Sequence, residues 1–212
     1  VRRISDDIQL LAFNSLVVAA KAKESGRTFF VIADTMGLLS RKIREAATQI
    51  AERIDETNSL LKQLTFQLML ISVKADMTKN LYCEHVTFNT PLRDVPLLLQ
   101  VIASSEVECK LLLQKMDGAS YLLGRRVNDI SQLLLQIEML SAAGGITSAE
   151  FGEIGRNFMQ LVDDIKQLNE RARAEIASMS ALTEDITHNV SENSQRYQRS
   201  VEIYRQLLAV KT

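Results

Sequence analysis

Apolar side chains recur at alternating spacings of three and four residues over most of this 212-residue chain, and that periodicity constrains the fold more than any other feature. Spacings of this kind place apolar residues along one side of a helix and form the seam of a coiled coil. The positions of the first seam are Ile4, Ile8, Leu11, Ser15, Val18 and Ala22. After Gly26 the pattern resumes at these positions: Ile32, Met36, Leu39, Ile43, Ala47, Ile50, Ile54, Thr57, Leu61, Leu64, Leu68 and Ile71.

Helix-breaking residues are few and divide the chain into four parts. The chain has two prolines, Pro91 and Pro96, and both fall in one short segment, where we expect a turn. Further breaks are expected at Gly26 and at Gly144-Gly145, with a weaker one at Asp117-Gly118 inside the third helix. The sequence therefore predicts an all-α fold of long antiparallel helices, forming coiled-coil hairpins or a four-helix bundle. The expected helices cover about residues 3–24, the stretch from Gly26 to residue 85, 97–140 and 149–208.

The unequal lengths of the first two helices bear on how their seam is covered. The first helix offers only about 33 Å of partner surface at 1.5 Å per residue. The rest of the second seam must therefore pack against the later helices or another chain, and we expect a homodimer. We predict two domains: residues 1–88 as a helical hairpin, and residues 89–212 as a helical bundle segment of unknown role that packs on it.

Charge and cysteine content exclude several classes of function. The chain has 25 basic and 26 acidic residues, which are interleaved and give a net charge of −1. Binding to nucleic acid is therefore not expected. Its two cysteines are too few for a disulfide framework, which favours a cytoplasmic protein. The longest apolar stretches are shorter than the roughly 20 residues that a membrane span requires, so we expect no span.

The stretch from Ile8 to Ile50 reads IQLLAFNSLVVAAKAKESGRTFFVIADTMGLLSRKIREAATQI. It resembles the signalling tip of the methyl-accepting chemotaxis proteins, the bacterial chemoreceptors, without any gap. The matching positions are Leu10, Leu11, Ala12, Asn14, Ala19, Ala20, Ala22, Glu24, Gly26, Arg27, Phe29, Val31, Ala33 and Leu39. The chain departs from the family pattern at Val18, Lys23, Thr28 and Phe30.

The resemblance implies a helical hairpin whose turn is formed by Glu24, Ser25, Gly26 and Arg27. Small side chains before the turn allow two helices to approach closely, and glycine tolerates the backbone conformation of a tight reversal. In the family, the tip binds a histidine autokinase and its coupling protein, so these are the partners that the resemblance implies. The residues carried over as partner-binding are Phe13, Asn14, Lys21, Glu24, Arg27 and Val31.

Other candidate sites are weaker. Cys83-Glu84-His85 supplies too few ligands for a tetrahedral zinc ion, so we expect neither a metal nor a cofactor. Cys109 lies in an apolar helical run, where a buried structural thiol is expected. Known catalytic motifs are absent from the sequence, and an enzyme is not expected. A phosphotransfer role for His188 is the enzymatic alternative.

Three aromatic residues near the proline segment, Tyr82, Phe88 and Tyr121, could line a ligand pocket or cap the end of a bundle. The leading hypothesis is a chemotaxis-type signalling module that binds its partners through the hairpin tip. The alternative is a ligand-sensing or scaffold bundle that no longer contacts the chemotaxis kinase.

Overall fold

Four helices make up the part of the chain that the computed structural model describes, which comprises residues 1–21, 26–88, 95–149 and 152–209. In chain order they are α1 (Arg2–Lys21), α2 (Arg27–Phe88), α3 (Val95–Ala149) and α4 (Gly152–Ala209). One short helix is thus followed by three long ones, of 62, 55 and 58 residues. The prediction of an all-α fold of long helices is confirmed.

The expected breaks at Asp117-Gly118 and at Gly144-Gly145 are wrong, because α3 continues through both sites to Ala149. Gly144 is buried, and a Cβ atom there would lie 3.1 Å from Cγ2 of Val162 and 3.6 Å from Cε1 of Phe158. A missing side chain at this position therefore allows α3 and α4 to approach closely. Glycine in a helix costs only about 1 kcal/mol relative to alanine, and such a cost can be offset by packing.

α1 and α2 form an antiparallel pair whose contact surface is made of small side chains. The hydroxyl of Ser5 donates a hydrogen bond of 2.6 Å to the carbonyl of Ser40, and the hydroxyl of Ser40 donates to the carbonyl of Ser5. Farther along, a Cβ atom at Gly37 would lie 3.8 Å from the Cβ atom of Ala12. Small residues at these levels bring the two helix backbones close together.

The buried side of α1 is rotated slightly from the predicted seam. Its buried residues are Ile4, Ser5, Ile8, Ala12, Ser15 and Ala19. Leu11 and Val18, which were expected in the seam, are only half-buried. The smaller neighbours Ala12 and Ala19 take the buried positions: Ala12 lies where α1 approaches Gly37 of α2, and Ala19 packs in a cluster with the large ring of Phe29.

Contacts divide the chain into two compact units. Unit 1 comprises residues 1–53 and 122–183, and unit 2 comprises residues 54–121 and 184–212. Each unit therefore combines segments from both sides of the connection between α2 and α3. The division into domains 1–88 and 89–212 stays a prediction.

Unit 1 contains four helical segments, from α1, the first part of α2, the last part of α3 and the first part of α4. At one level of its core, Phe29 of α2 packs against Phe158 of α4, with ring centroids 4.1 Å apart. Ala19 and Val162 complete this buried cluster. The apolar face of the α1–α2 hairpin is therefore covered here by later helices of the same chain.

Unit 2 contains segments of α2, α3 and α4 around a core of its own. The buried residues of that core are Leu60, Leu64, Ile71, Cys109, Leu112, Leu113, Met116, Ala119 and Val190. Leu61, which was placed in the seam, is exposed, and Leu60 is buried in its place. The predicted seam ran from Thr57 to Leu61 and Leu64, with spacings of four and then three residues. The buried positions are Thr57, Leu60 and Leu64, with spacings of three and then four.

None of the helices in the described part of the chain is long and apolar enough to cross a membrane.

Candidate functional site

Five of the six predicted partner-binding residues are described, and they lie toward the end of the α1–α2 hairpin, on its solvent-exposed surface. Phe13 and Val31 are large apolar side chains, yet they are 63% and 60% exposed. Asn14, Lys21 and Arg27 are exposed as well. We call the five residues Phe13, Asn14, Lys21, Arg27 and Val31 the tip surface. Glu24 and Ser25 of the predicted turn lie outside the described residues.

Packing beneath the tip surface fixes the position of both helices. Ala19 is buried against Phe29, while Gly26 is buried just before α2 begins. The two phenylalanines that follow the turn thus have opposite roles, because Phe29 is buried in the core and Phe30 is 49% exposed. Exposed and buried residues are neighbours in this short segment, so the tip surface lies directly over the buried core of the hairpin.

Apolar neighbours that the sequence comparison did not single out extend the tip surface. Leu10 and Val17 are exposed on either side of Phe13, at spacings of three and four residues that place all three on one side of α1. On α2, Leu38 is exposed seven residues after Val31, and therefore on the same side. These positions could have been found by asking which apolar residues fall outside the coiled-coil seam.

Polar contacts join α1 and α2 at the end of the hairpin that is far from the turn. Arg44 of α2 forms an ion pair with Asp6 of α1, and its guanidinium donates a hydrogen bond of 2.7 Å to the side-chain carbonyl of Gln9. Exposed pairs of this kind contribute roughly 0–1 kcal/mol each. They help to set the register of α1 against α2 but add little to the stability of the fold.

An open groove of about 310 Å³ lies between α1 and α4 in unit 1. Its lining residues are Asp7, Leu10, Leu11, Asp164, Gln167, Leu168 and Arg171. The groove combines leucine side chains with charges of both signs. Such a lining could contact an apolar ligand that has a polar end.

Few of the other candidate side chains fall among those that the structure describes. The side chain of His188 is 76% exposed, and its Nε2 atom lies 3.9 Å from a carboxylate oxygen of Glu192. Tyr121 is also exposed, while the side chains of Tyr82, Cys83, His85 and Phe88 lie outside those described. Among the side chains that the structure describes, no three potential metal ligands lie close enough to hold an ion.

Cys109 is a free, fully buried thiol in the core of unit 2. Burial raises the pKa of this thiol to about 11, and the nearby carboxylates of Glu108 and Glu106 act in the same direction. Since the thiolate is the reactive form, this cysteine is chemically inert in the folded protein. The expected structural role agrees with its position.

Comparison with known proteins shows similarity over part of the chain. A segment of 56 residues is 41% identical to the methyl-accepting chemotaxis protein PctB of Pseudomonas aeruginosa, covering 26% of this chain and 9% of PctB. A segment of 76 residues is 37% identical to the putative sensory transducer protein YfmS of Bacillus subtilis, covering 36% of this chain and 27% of YfmS. The methyl-accepting chemotaxis protein McpC of the same bacterium is 37% identical over 75 residues, which are 35% of this chain and 11% of McpC.

These matches cover a small fraction of each relative's length. No protein-family model matches the chain, and no solved structure matches it significantly. The resemblance read from the sequence is nevertheless confirmed by several chemotaxis proteins. The similarity to the methyl-accepting chemotaxis proteins is confined to a segment of this chain and is divergent, at 37–41% identity in these three matches.

Proposed function

We propose that this chain is a non-enzymatic signalling module of the chemotaxis type, which binds a histidine autokinase and its coupling protein through the tip surface and Glu24. The observation that carries the proposal is the combination of two features in one place. The sequence there resembles the chemoreceptor tip, and large apolar side chains of that same segment are exposed on a tightly packed hairpin.

Exposed aromatic and aliphatic side chains on an ordered surface are typical of protein-binding sites. Phe13 and Val31 would supply the apolar centre of such an interface, and removing them from water would stabilise the complex. Lys21 and Arg27 are exposed cations that would lie at its polar rim. Rim charges of this kind mainly determine which partner is accepted and how fast it associates.

Signal transmission would act through the packing of α1 against α2. The contact between them is made of small residues, including Ser5, Ser40 and Ala12, and the reciprocal hydrogen bonds of the two serines hold one register, which a signal would have to change. Small shifts between packed helices are a common mechanism of switching. A shift in this seam would move the exposed side chains that the kinase and coupling protein contact.

The proposal places the protein in the cytoplasm, where the kinase and coupling protein would meet it. It also keeps the expected homodimer. In unit 1 the contact between Phe29 and Phe158 occupies the inner side of the hairpin within one chain. A second copy would therefore associate through an outer surface.

Titration calorimetry of the chain against the chemotaxis kinase and the coupling protein of the same organism tests the proposal. Saturable binding is expected, and Phe13→Ala and Val31→Ala should each weaken it by roughly tenfold, since each removes about 1.4 kcal/mol or more of apolar contact. Val107→Ala is the matched control, because Val107 is 70% exposed and lies in unit 2. Absence of binding at tens of micromolar, or equal loss in the Val107 control, would reject the proposal.

The groove between α1 and α4 favours a second candidate, a ligand-sensing bundle that does not contact the kinase. Its lining by Leu11, Leu168, Arg171 and the two aspartates Asp7 and Asp164 suits a small zwitterion with an apolar body, because Arg171 would bind its carboxylate and the aspartates its ammonium group. Under this alternative, small apolar zwitterions would raise the unfolding midpoint, and those that bind more tightly would raise it further. Arg171→Ala would abolish that stabilisation, while the kinase would not bind at any concentration tested.

A further inference from the structure

A second apolar seam runs along the outside of α2 in unit 2, and the core of that unit does not use it. Its apolar members are Phe66, Met69, Val73 and Met77, which are 59%, 66%, 47% and 50% exposed. The buried side of this part of α2 contains Leu60, Leu64 and Ile71. Val73 follows Leu64 by nine residues, which is about 180° around an α-helix. The two apolar faces therefore lie on opposite sides of α2.

The outer seam is symmetric about its centre. With the exposed polar residues at its ends, the seam consists of Lys62, Phe66, Met69, Val73, Met77, Asn80 and Glu84. Successive members are separated by four, three, four, four, three and four residues. The same series of spacings is obtained in either direction from Val73. An antiparallel copy of this helix would therefore present matching positions at every level.

From this symmetry we propose that the outer seam binds a second copy of this chain, in antiparallel orientation, with Val73 on the two-fold axis. Met69 then lies opposite Met77 of the second copy, and Phe66 opposite Asn80 of the second copy. Each contact occurs twice, as it must in a two-fold interface between identical surfaces. Flexible methionine side chains can fill the space around the central valines.

Charge complementarity identifies the occupant as a second copy. Lys62 and Glu84 are exposed and stand eleven residues before and after Val73. In the antiparallel arrangement, Lys62 of each copy lies opposite Glu84 of the other, so both charges are paired. A parallel copy would instead place lysine beside lysine and glutamate beside glutamate. A lipid surface or a nucleic acid would attract Lys62 and repel Glu84.

The size of the seam predicts a weak, reversible dimer. From Lys62 to Glu84 the seam is about 33 Å long at 1.5 Å per residue. A single helix face of that length buries less surface than the roughly 800 Å² per partner that is typical of stable complexes. We therefore expect monomer and dimer to exchange at micromolar concentrations.

Cysteine cross-linking tests the position of the axis. In a Cys83→Ser background, Val73→Cys brings two identical thiols together on the axis, so mild oxidation should give a covalent dimer in high yield. Leu182→Cys is the control, because Leu182 is 59% exposed and lies in unit 1. Both substitutions are at exposed positions and should leave the helical circular dichroism unchanged.

Charge reversal tests the orientation, with the dimer dissociation constant measured by sedimentation. Lys62→Glu and Glu84→Lys should each weaken the dimer severalfold, and the double variant should restore it because both pairs are re-formed with opposite sign. A chain that stays monomeric at all concentrations would overturn the proposal. Cross-linking of Val73→Cys no faster than Leu182→Cys, or a double variant weaker than either single one, would overturn it equally. This inference rests on the homodimer that the proposed function includes. None of these readouts involves the chemotaxis kinase, so failure of the dimer and failure of kinase binding are measured separately.

Discussion

Truncation of Phe158 tests whether the two hairpins of unit 1 share one core. Its ring is 1% exposed and packs on that of Phe29 at a centroid distance of 4.1 Å. Replacing a buried phenylalanine by alanine costs about 3–5 kcal/mol, which includes the cavity that is left. We expect Phe158→Ala to lower the free energy of unfolding by an amount in that range. For a protein with a total of roughly 5–15 kcal/mol, this is a large fraction.

A double-mutant cycle with Phe29→Ala isolates the contact between the rings. Aromatic pairs contribute about 0.5–1.5 kcal/mol beyond the area that they bury. The double variant should therefore lose less stability than the two single variants added together, by roughly that amount. If the two losses are strictly additive, the rings do not interact.

Urea denaturation followed by circular dichroism at 222 nm measures all four proteins of the cycle. Phe13→Ala is the matched control, since it removes the same ring from an exposed position and should change stability by no more than about 0.5 kcal/mol. A loss of less than about 1 kcal/mol for Phe158→Ala, similar to that of the control, would show that α4 does not cover the α1–α2 hairpin.

Three further predictions concern single positions. Gly155→Ala should destabilise the connection between α3 and α4, because its Cβ atom would overlap the carbonyl of Ser148; the unfolding midpoint should fall, and an unchanged midpoint would contradict the close approach. Ser5→Ala should cost about 1 kcal/mol in urea denaturation, since the buried hydrogen bond from the Ser5 hydroxyl to the Ser40 carbonyl is lost. Because the two hydroxyls also contact each other, Ser5→Ala/Ser40→Ala should lose less than the sum of the single changes. The free energy of unfolding should also fall between pH 9 and 11. The pKa of the Cys109 thiol is raised to about 11 in the folded chain, so over this range the folded chain keeps the proton while the unfolded chain loses it. Cys109→Ala should remove that part of the pH dependence.

Helix content and the general position of the seams could be predicted from the sequence, because both follow from residue type and spacing. The helix bounds on either side of the proline segment were close, since α2 was expected to reach residue 85 and α3 to begin at 97, against Phe88 and Val95 in the structure. The prediction at Gly144 was wrong because a glycine can either end a helix or allow a second helix to pack closely against it. The nearby side chains of Val162 and Phe158 show that Gly144 allows close packing. Leu60 and Leu61 are equivalent in hydrophobicity, so the choice between them depended on contacts that the sequence does not display.

The tip surface was predictable in a different way. Its residues were found through a resemblance, and the structure adds that Phe13 and Val31 are exposed despite being apolar. Phe29 and Phe30 are identical in type and adjacent in sequence, yet one is buried against Phe158 and the other is exposed. That difference follows from the rotation of α2 against α4, which a single sequence does not specify.

Hydrogen–deuterium exchange of the chain, alone and with the coupling protein and kinase, shows whether the partners bind at the tip surface, because it reports both binding and its location. We expect slower exchange that is confined to about residues 8–35 and is lost in a Phe13→Ala/Val31→Ala variant. Unchanged exchange throughout, or protection that maps to another part of the chain, would contradict it.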